Sequence, residues 1–454
     1  MLLVNDEVVG IKTFFVPLPH ITKTERMKRG FLLLWVLVLA VWGVSAQSVE
    51  ERLTALAGIE EVKPLPAGEF EAKYEVMLRQ PLDLRDPEAG SFLQRVIVMH
   101  AGYDRPTMLI TQGYGAGFAL RESYREEISR MFDMNMVFVE HRYFDRSMPD
   151  PCDWQYLTAR NSADDLHAIR RLFDTLYPGK WLASGISKGG TTTMLYATFY
   201  PGDVDIYVPY VGPVCTSRED KRFAPFFARI STPEDRAAVA AFQRALLERR
   251  AELAPLFEAF CREQNLTFRL PIEEIYDYCV LEFSFAFWQW GQGIETIPAS
   301  DAPAGDVMAY WFSCAGPDYF AEGGANASFF VQAARELGYY PYDAKPFRKL
   351  LKLKTTKDYL RRIFIPEELR RVKFDRTLCR KMTKYLREND PKMLLVYGGT
   401  DPWTAPGAGW VADLKKENMK VYVQPGGSHR TRISTLPDPM REEAVETLRR
   451  WLED

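Results

Sequence analysis

The stretch KWLASGISKGGTTTMLYATFY (residues 180–200) joins an apolar strand pattern to a helix pattern through a glycine-rich turn. The turn, GISKG at 185–189, has the G-x-S-x-G spacing, in which two glycines permit a sharp bend with a serine at its tip. A strand before the bend and a helix after it are the context that such a nucleophile elbow requires. The pattern predicts that Ser187 is a catalytic nucleophile; the alternative is a serine in an ordinary glycine turn.

The segments on both sides of this turn alternate between strand and helix patterns. Residues 70–84 and 92–103 alternate apolar and polar side chains, as half-buried antiparallel strands do. Continuous apolar runs, typical of parallel strands covered on both faces, lie at 108–111, 136–140, 180–187, 204–214, 393–399 and 420–427. The alternation predicts an α/β fold with a mostly parallel sheet, flanked by helices and opened by two antiparallel strands.

Two helices of this alternation are clear in the sequence. One runs from Ser162 to Tyr177, with an apolar stripe and with Ser162 and Asp165 at the spacing of a capping box. The last helix is expected over residues 439–453. Both lie directly after segments that we expect to be part of the sheet or its loops.

The alternation stops over residues 216–390. Helix patterns occur there at 232–253 and 356–388. We interpret the segment as a mainly helical cap domain, inserted into a catalytic domain formed by residues 47–215 and 391–454. Insertions at the carboxyl edge of a parallel sheet lie above the catalytic loops; the alternative is that this segment only adds packing volume.

A serine hydroxyl needs a base, and the base needs an orienting carboxylate. His429 follows the last predicted strand and precedes the final helix, and Asp401 directly follows the preceding strand. The order Ser187, Asp401, His429 is that of α/β hydrolases and differs from the chymotrypsin and subtilisin orders. Asp438 is the rival acid, but it opens a helix and is expected to be a cap.

An oxyanion hole needs two hydrogen-bond donors beside the nucleophile. The backbone N–H of Lys188, at a helix N-terminus, is expected to supply one. The loop at 112–115 follows a predicted strand and contains two glycines, so the second is expected from the N–H of Tyr114. A plain glycine turn is the alternative for that loop.

Composition narrows the class of protein. Of 454 residues, 47% are hydrophobic and 26% charged, which excludes a disordered chain, a fibre and a polytopic membrane protein. A net charge of −3 gives no basic surface, so nucleic acid is not an expected partner. With five histidines and no C-x-x-C pair, neither a metal site nor a cofactor is expected.

The N-terminal region has the pattern of a secretory signal peptide. A basic start at Met27 leads into an apolar run over 31–42 and then to small residues ending at Ala46. The run has about 12–14 residues, short of the roughly 20 that a membrane anchor needs. We therefore predict a leader over 1–46, with an upstream extension at 1–26, and a secreted or periplasmic protein without stable membrane insertion.

Export would expose the cysteines to oxidising conditions. All six follow the predicted leader, and an even number permits disulfides whose pairing the sequence leaves open. They are residues 152, 215, 261, 279, 314 and 379. The oligomeric state is open as well.

Several motifs together resemble one peptidase family. They are EHRYF (140–144), GISKGG (185–190), VPYVGPV (208–214), GGTDPW (398–403) and GGSHRTRI (426–433). In combination they resemble the secreted serine peptidases of family S37, the PS-10 type. The related family S28 shares a similar Glu-His-Arg-Tyr stretch and the Asp-Pro-Trp motif, but it has Tyr after the elbow serine where this chain has Lys188. The resemblance implies the triad Ser187, Asp401 and His429, an α/β-hydrolase fold with a helical cap, and cleavage of peptides near their N-terminus.

The residues also suggest how a peptide end could bind. Residues 276–290 are dense in aromatic side chains, among which Glu282 is a candidate partner for a free α-ammonium group, and Trp288 and Trp290 are candidate walls. Aromatic side chains at helical spacing are more often core, which is the alternative. The resemblance gives Arg142 a substrate-contacting or structural role; the alternative is that it ties down the loop at 145–152.

The function predicted from the sequence is a secreted serine exopeptidase of the tripeptidyl or prolyl aminopeptidase type, which acts on peptides with a free N-terminus. An esterase or lipase on the same fold is the first alternative. A non-catalytic surface binding protein is the second.

Overall fold

A nine-stranded sheet organises residues 47–454, the part of the chain that this computed structural model describes. Its strands are β1 Ile59–Leu65, β2 Ala72–Pro81, β3 Ser91–His100, β4 Thr107–Thr111, β5 Asn135–Val139, β6 Trp181–Ile186, β7 Ile206–Tyr210, β8 Met393–Gly398 and β9 Met419–Gln424. They are arranged in the order β1-β2-β3-β5-β4-β6-β7-β8-β9. The predicted leader, residues 1–46, lies outside the described residues. Within them, no helix is both long and apolar enough to cross a membrane.

The sheet has an antiparallel and a parallel part. β1, β2, β3 and β5 pair antiparallel in turn, whereas β5, β4, β6, β7, β8 and β9 pair parallel. All residues of β4, β5, β7 and β8 are buried, as their apolar sequences predict for strands with helices on both faces. The α/β fold with a mostly parallel sheet is therefore confirmed.

The antiparallel edge differs from the prediction, because it contains one more strand. β1 has the sequence IEEVKPL and no strict alternation of buried and exposed residues. Four of its seven residues are charged or Pro, types that are depleted in strands, so neither the hydrophobic period nor the strand propensity indicated this strand. Only its antiparallel pairing with β2 in the tertiary structure shows that this segment is a strand.

Of the thirteen α-helices in the described residues, eight have twelve residues or more and five have five or six. They are α1 Val49–Thr54, α2 Glu127–Phe132, α3 Ala159–Phe173, α4 Lys188–Phe199, α5 Phe223–Phe227, α6 Pro233–Glu248, α7 Arg250–Glu263, α8 Ile272–Trp290, α9 Ala304–Ala315, α10 Ala327–Gln332, α11 Tyr359–Ile363, α12 Thr377–Glu388 and α13 Asp438–Glu453. A π-helical turn at 333–337 continues α10. Eight of them, α5 to α12, lie between β7 and β8.

The start of α3 corrects the predicted capping box. The helix begins at Ala159, and Thr158, in an extended conformation, accepts a hydrogen bond from the Asn161 N–H as its N-cap. Ser162 is already inside the helix, and its hydroxyl donates to the Thr158 carbonyl. An N-cap must have non-helical backbone angles, a condition that Thr158 meets and Ser162 does not. The apolar face predicted through Leu166 is buried as expected.

The inserted segment is built around α8. Thirteen of its nineteen residues are buried, and Phe283, Phe285 and Phe287 are at most 2% exposed. Burying each such ring stabilises the fold by about 2–3 kcal/mol, so α8 is held firmly among its neighbours. Residues 49–454 form one compact unit, and the division into a catalytic and a cap domain stays a prediction.

The six cysteines form no disulfide; all of them belong to the described residues. Cys152 is exposed, whereas Cys215, Cys261, Cys279 and Cys379 are buried. Buried thiols of this kind pack as small apolar side chains. Their even number, which permits disulfides, therefore does not correspond to bridges in this structure.

Candidate active site

Ser187 occupies the bend between β6 and α4. Its backbone angles, φ 60° and ψ −121°, are strained for a residue with a side chain, and its N–H donates to the Tyr210 carbonyl at 2.9 Å. A Cβ on Gly185 would lie 2.7 Å from the Thr111 carbonyl oxygen, and one on Gly189 would lie 2.9 Å from the same atom. Only glycines allow this approach of strand, bend and helix, which explains the G-x-S-x-G spacing.

The predicted acid and base are joined at the carboxyl edge of the sheet. Asp401 follows β8, His429 follows β9, and His429 Nδ1 donates to Asp401 Oδ2 at 2.7 Å. Asp401 is fully buried, and it also accepts the Trp403 N–H at 3.1 Å. This carboxylate fixes the tautomer of the imidazole, so that Nε2 is the nitrogen left to accept a proton.

The rival acid, Asp438, is not part of this arrangement. Its carboxylate is 74% exposed and pairs with Arg441. It is the first residue of α13, whose N-cap is Pro437, so the prediction that Asp438 is a cap is wrong as well. A carboxylate in the first helical turn is still favoured by the helix dipole.

Ser187 and His429 line the same cavity, which has a volume of about 730 Å³. The predicted residues Tyr114, Lys188, Glu282 and Trp290 also line it. No hydrogen bond joins Ser187 to His429 in the described chain; catalytic hydrogen bonds often tighten only when substrate binds. The structure thus brings the predicted nucleophile, the predicted base and four of the other predicted site residues to one cavity.

Lys188 is the first residue of α4, where backbone N–H groups lack partners within the helix. Its side chain is buried, and Nζ donates to the Gly113 carbonyl at 2.6 Å. Nζ also lies over the rings of Tyr114 and Phe144, at 5.7 and 5.3 Å from their centroids. Burial lowers the pKa of the Lys188 amine well below its ordinary value. Lys188 therefore holds the predicted oxyanion loop against the elbow.

Tyr114 reaches the site through its side chain. Its hydroxyl is within hydrogen-bonding reach of Ser187, and burial raises the pKa of the phenol, which keeps the proton on it. The ring contacts Phe144 and Phe329. The Tyr114 carbonyl accepts the His141 N–H at 3.2 Å. The prediction concerned its backbone N–H; the structure offers the phenol O–H as a second possible donor.

Arg142 lies outside the cavity. It is 1% exposed and makes a bidentate ion pair with Asp165, with both contacts at 2.7 Å. It also donates to the carbonyls of Leu82 and Tyr156. A guanidinium with every donor occupied in the interior has a structural role, so the structure does not place Arg142 in contact with substrate. Nor do these partners belong to the loop at 145–152.

Glu282 lies on α8, is 6% exposed and lines the cavity. Its carboxyl oxygens accept from the hydroxyls of Tyr340, at 2.8 and 3.0 Å, and of Tyr342, at 2.6 Å. Burial raises the pKa of this carboxyl to about 7. The two hydrogen bonds from the tyrosines lower the pKa, but their effect is smaller than that of burial. No cation pairs with it in the described chain, and its hydroxyl partners are neutral.

The two candidate tryptophans have different positions. Trp290 is 41% exposed at the cavity, with its ring 5.8 Å from that of His429 and the Arg430 guanidinium above it. Trp288 is buried and packs against Phe287 without lining the cavity, so it belongs to the core.

Sequence reasoning missed several contributors to the cavity. Tyr339 and Tyr340 line it, as does Trp403, two residues after Asp401. The signal was present as the aromatic tetrapeptide at 339–342 and the Asp-Pro-Trp motif. Among the described residues, no cluster of three or more His, Cys, Asp or Glu side chains could hold a metal ion.

These features define an α/β hydrolase. Ser187, the predicted nucleophile, stands on a strand-to-helix bend, the predicted acid and base follow the last two strands, and the sheet is mostly parallel with an antiparallel edge. Other α/β hydrolases have been solved whose chains are similar in part to this one. A proline iminopeptidase from Mycobacterium smegmatis has 12% identity and a TM-score of 0.39 over 86% of this chain and 99% of that chain. A thermostable carboxyl esterase from Bacillus coagulans has 12% identity and a TM-score of 0.35 over 84% of this chain and 99% of that chain.

The chain belongs to peptidase family S37. The model of that family, described as PS-10 peptidase S37, matches residues 44–452. A prolyl tri/tetrapeptidyl aminopeptidase from Streptomyces mobaraensis is 29% identical over 415 residues, which are 89% of this chain and 84% of that protein. The chain is thus a serine peptidase, as the sequence motifs predicted.

Proposed function

We propose that this protein is a secreted aminopeptidase that releases short fragments, tripeptides above all, from the free N-terminus of peptides. The observation that carries the proposal is the buried Glu282 carboxylate on the wall of the cavity that Ser187 also lines. The name of the Streptomyces mobaraensis relative supports the same activity. Secretion rests on the signal-peptide pattern at 27–46 alone.

Chemistry begins at Ser187. Its hydroxyl oxygen attacks the scissile carbonyl carbon while His429 Nε2 takes the proton, and Asp401 stabilises the imidazolium that forms. The oxyanion receives hydrogen bonds from the Lys188 N–H and from Tyr114. His429 then gives its proton to the leaving amine, which leaves an acyl-enzyme on Ser187. Water, deprotonated by His429, hydrolyses that ester and restores the serine.

Substrate binding uses the wall of the cavity that carries Glu282. The α-ammonium of the peptide is attracted to Glu282, whose neutral tyrosine partners leave its negative charge uncompensated. A charge-assisted hydrogen bond of this kind contributes about 1.5–3 kcal/mol. Aromatic walls that include Trp403 and Tyr340 suit proline or a small apolar residue before the scissile bond. We place the cap, residues 216–390, over this cavity as the element that admits only a chain end.

Three sets of substrates test the proposal. Nitroanilide peptides with a free N-terminus should be cleaved, their Nα-acetylated forms should be cleaved far more slowly, and short acyl esters should be poor substrates. A fluorophosphonate probe should label the protein, and Ser187→Ala should abolish both labelling and cleavage. Efficient cleavage of the acetylated peptides would contradict the aminopeptidase, and absent labelling of the folded protein would favour the non-catalytic alternative. An acid inside the cavity speaks against an esterase, for which we expect an apolar groove.

A further inference from the structure

One face of α8 forms a wall of the active-site cavity. Glu282, Ala286, Gln289 and Trp290 line the cavity, and their spacing of four, seven and eight residues is that of a single helix face. Residues of the other faces, such as Phe283 and Phe287, belong to the core of the inserted segment. The candidate ammonium partner therefore lies on a continuous helical surface that leads along the cavity.

The C-terminal end of α8 is fixed to the loop of the catalytic base. The Gln289 carbonyl accepts the backbone N–H of His429 at 2.9 Å. Gly291, with φ 68°, ends the helix, and a Cβ at this position would lie 2.8 Å from the Cβ of Ser428. The loop that carries the imidazole is thus seated directly on the helix end, at a position where only glycine fits.

The side chain of Glu282, seven residues before Gln289 on α8, is also fixed in position. Glu282 is held by the hydroxyls of Tyr340 and Tyr342. Between Glu282 and Gln289 the helix contains neither glycine nor proline, and it is mostly buried. A buried α-helix without such breaks has a constant rise, so the separation of the two contacts is set by the number of residues between them.

That separation matches the length of a tripeptide. Seven residues at 1.5 Å each give about 10.5 Å, and they turn the helix through nearly two full turns, so both positions share one face. Three extended residues span about 10–11 Å, and four span about 13–14 Å. We propose that α8 acts as a ruler: the distance from Glu282 to the His429 loop determines how many residues are released. This inference rests on the proposed function and adds to it the element that sets the fragment length.

Moving the carboxylate by one helical turn tests the ruler. The Glu282→Gln/Ala286→Glu double variant shifts the negative charge about 6 Å towards His429, which is nearly the length of two residues. Gln at 282 still accepts from the tyrosine hydroxyls. The double variant should release one- and two-residue fragments, with their ratio to tripeptides raised by about tenfold or more, as measured by mass spectrometry of products from an unblocked peptide. The Glu282→Gln/Ala286→Gln variant has the same shape without the charge, and it should show no such shift.

A second test uses the unmodified enzyme, in case the double variant does not fold. In δ-aminopentanoyl-proline nitroanilide the ammonium is as many chain atoms from proline as in Gly-Gly-Pro nitroanilide. The β-aminopropanoyl and ω-aminoheptanoyl analogues are two atoms shorter and two atoms longer. The ruler predicts kcat/KM about tenfold higher for the matched chain than for either analogue.

The outcomes separate the ruler from the proposed function. Unchanged tripeptide release by the folded double variant, equal kcat/KM for the three analogues, or cleavage of none of them would overturn the ruler while the aminopeptidase activity stands. If the unmodified enzyme cleaves acetylated peptides as well as free ones, the proposed function itself is wrong, and the ruler is overturned with it.

Discussion

Two buried carboxylates lie at or next to the active-site cavity, and their surroundings differ. Asp401, at the carboxyl edge of the sheet, is hydrogen-bonded to the ring of His429 and to a backbone N–H. Glu282, on the wall formed by α8, accepts hydrogen bonds from two tyrosine hydroxyls and from no cation among residues 47–454. The first has its cationic partner within the protein once the imidazole is protonated, whereas the second leaves a charge for a ligand to match. The comparison teaches that burial alone does not assign a role to an acid; the charge of its partners does.

The largest effect is expected at the sheet edge. Asp401→Asn should lower kcat by about 10,000-fold, because an amide does not hold the required imidazole tautomer or stabilise the imidazolium. KM should change little, since Asp401 does not line the cavity. Steady-state kinetics on an unblocked tripeptide nitroanilide measures this. Asp438→Asn is the matched control, as that acid is exposed and paired with Arg441; a comparable loss in the control would contradict the assignment.

At the α8 wall, Glu282→Gln should lower kcat/KM for unblocked peptides by about 10- to 100-fold, because one charge-assisted hydrogen bond to the substrate is lost. Gln has nearly the same shape and still accepts from Tyr340 and Tyr342. For Nα-acetylated peptides the variant and the parent should have equal kcat/KM. An equal loss on both classes of substrate would show that Glu282 is structural.

The two regions should also differ in their dependence on pH. Burial raises the pKa of Glu282 to about 7, so in the free enzyme the carboxyl is neutral below that pH and no longer attracts an ammonium. The ratio of kcat/KM for unblocked to acetylated peptides should therefore fall about tenfold per pH unit below about 6. The ratio cancels every effect of pH that acts on both classes of substrate alike. In Glu282→Gln this ratio should be flat over the same range.

The last effect is on stability. The pKa of Glu282 is raised from 4.5 to about 7 on folding, so the folded chain binds a proton that the unfolded chain has released, and stability falls as pH rises through that interval. At pH 8, Glu282→Gln should stabilise the protein by up to about 3 kcal/mol. At pH 4 the difference should vanish. Chemical denaturation at both pH values measures this, and greater stability of the parent at pH 8 would contradict it.

Much of the sheet and of the arrangement of the candidate active site could be predicted from the sequence, because their signals are local. Eight of the nine strands follow from apolar runs or alternation, and the bend at Ser187 follows from two glycines that permit one backbone path. β1 was missed because its residues carry no such period, and the start of α3 was misplaced because two hydroxyl residues four positions apart compete for the cap.

The binding wall was predicted less completely. Glu282 and Trp290 were indicated by composition alone, while Trp288, two residues away from Trp290, belongs to the core. Substrate contact was one of the roles expected for Arg142, but Asp165 occupies its guanidinium. Such choices depend on which side of a helix or loop faces a neighbour, and a neighbour distant in sequence leaves no local pattern.

The sequence by itself determined that this chain bends sharply at Ser187 and presents an acid and a base in hydrolase order, since each of these signals lies in a few adjacent residues. Only the tertiary structure decided that Tyr340 and Tyr342 hold Glu282 and that Gln289 holds the His429 loop. Those contacts join segments far apart along the chain, and they form only because packing of the inserted helices on the sheet edge brings them within hydrogen-bonding distance.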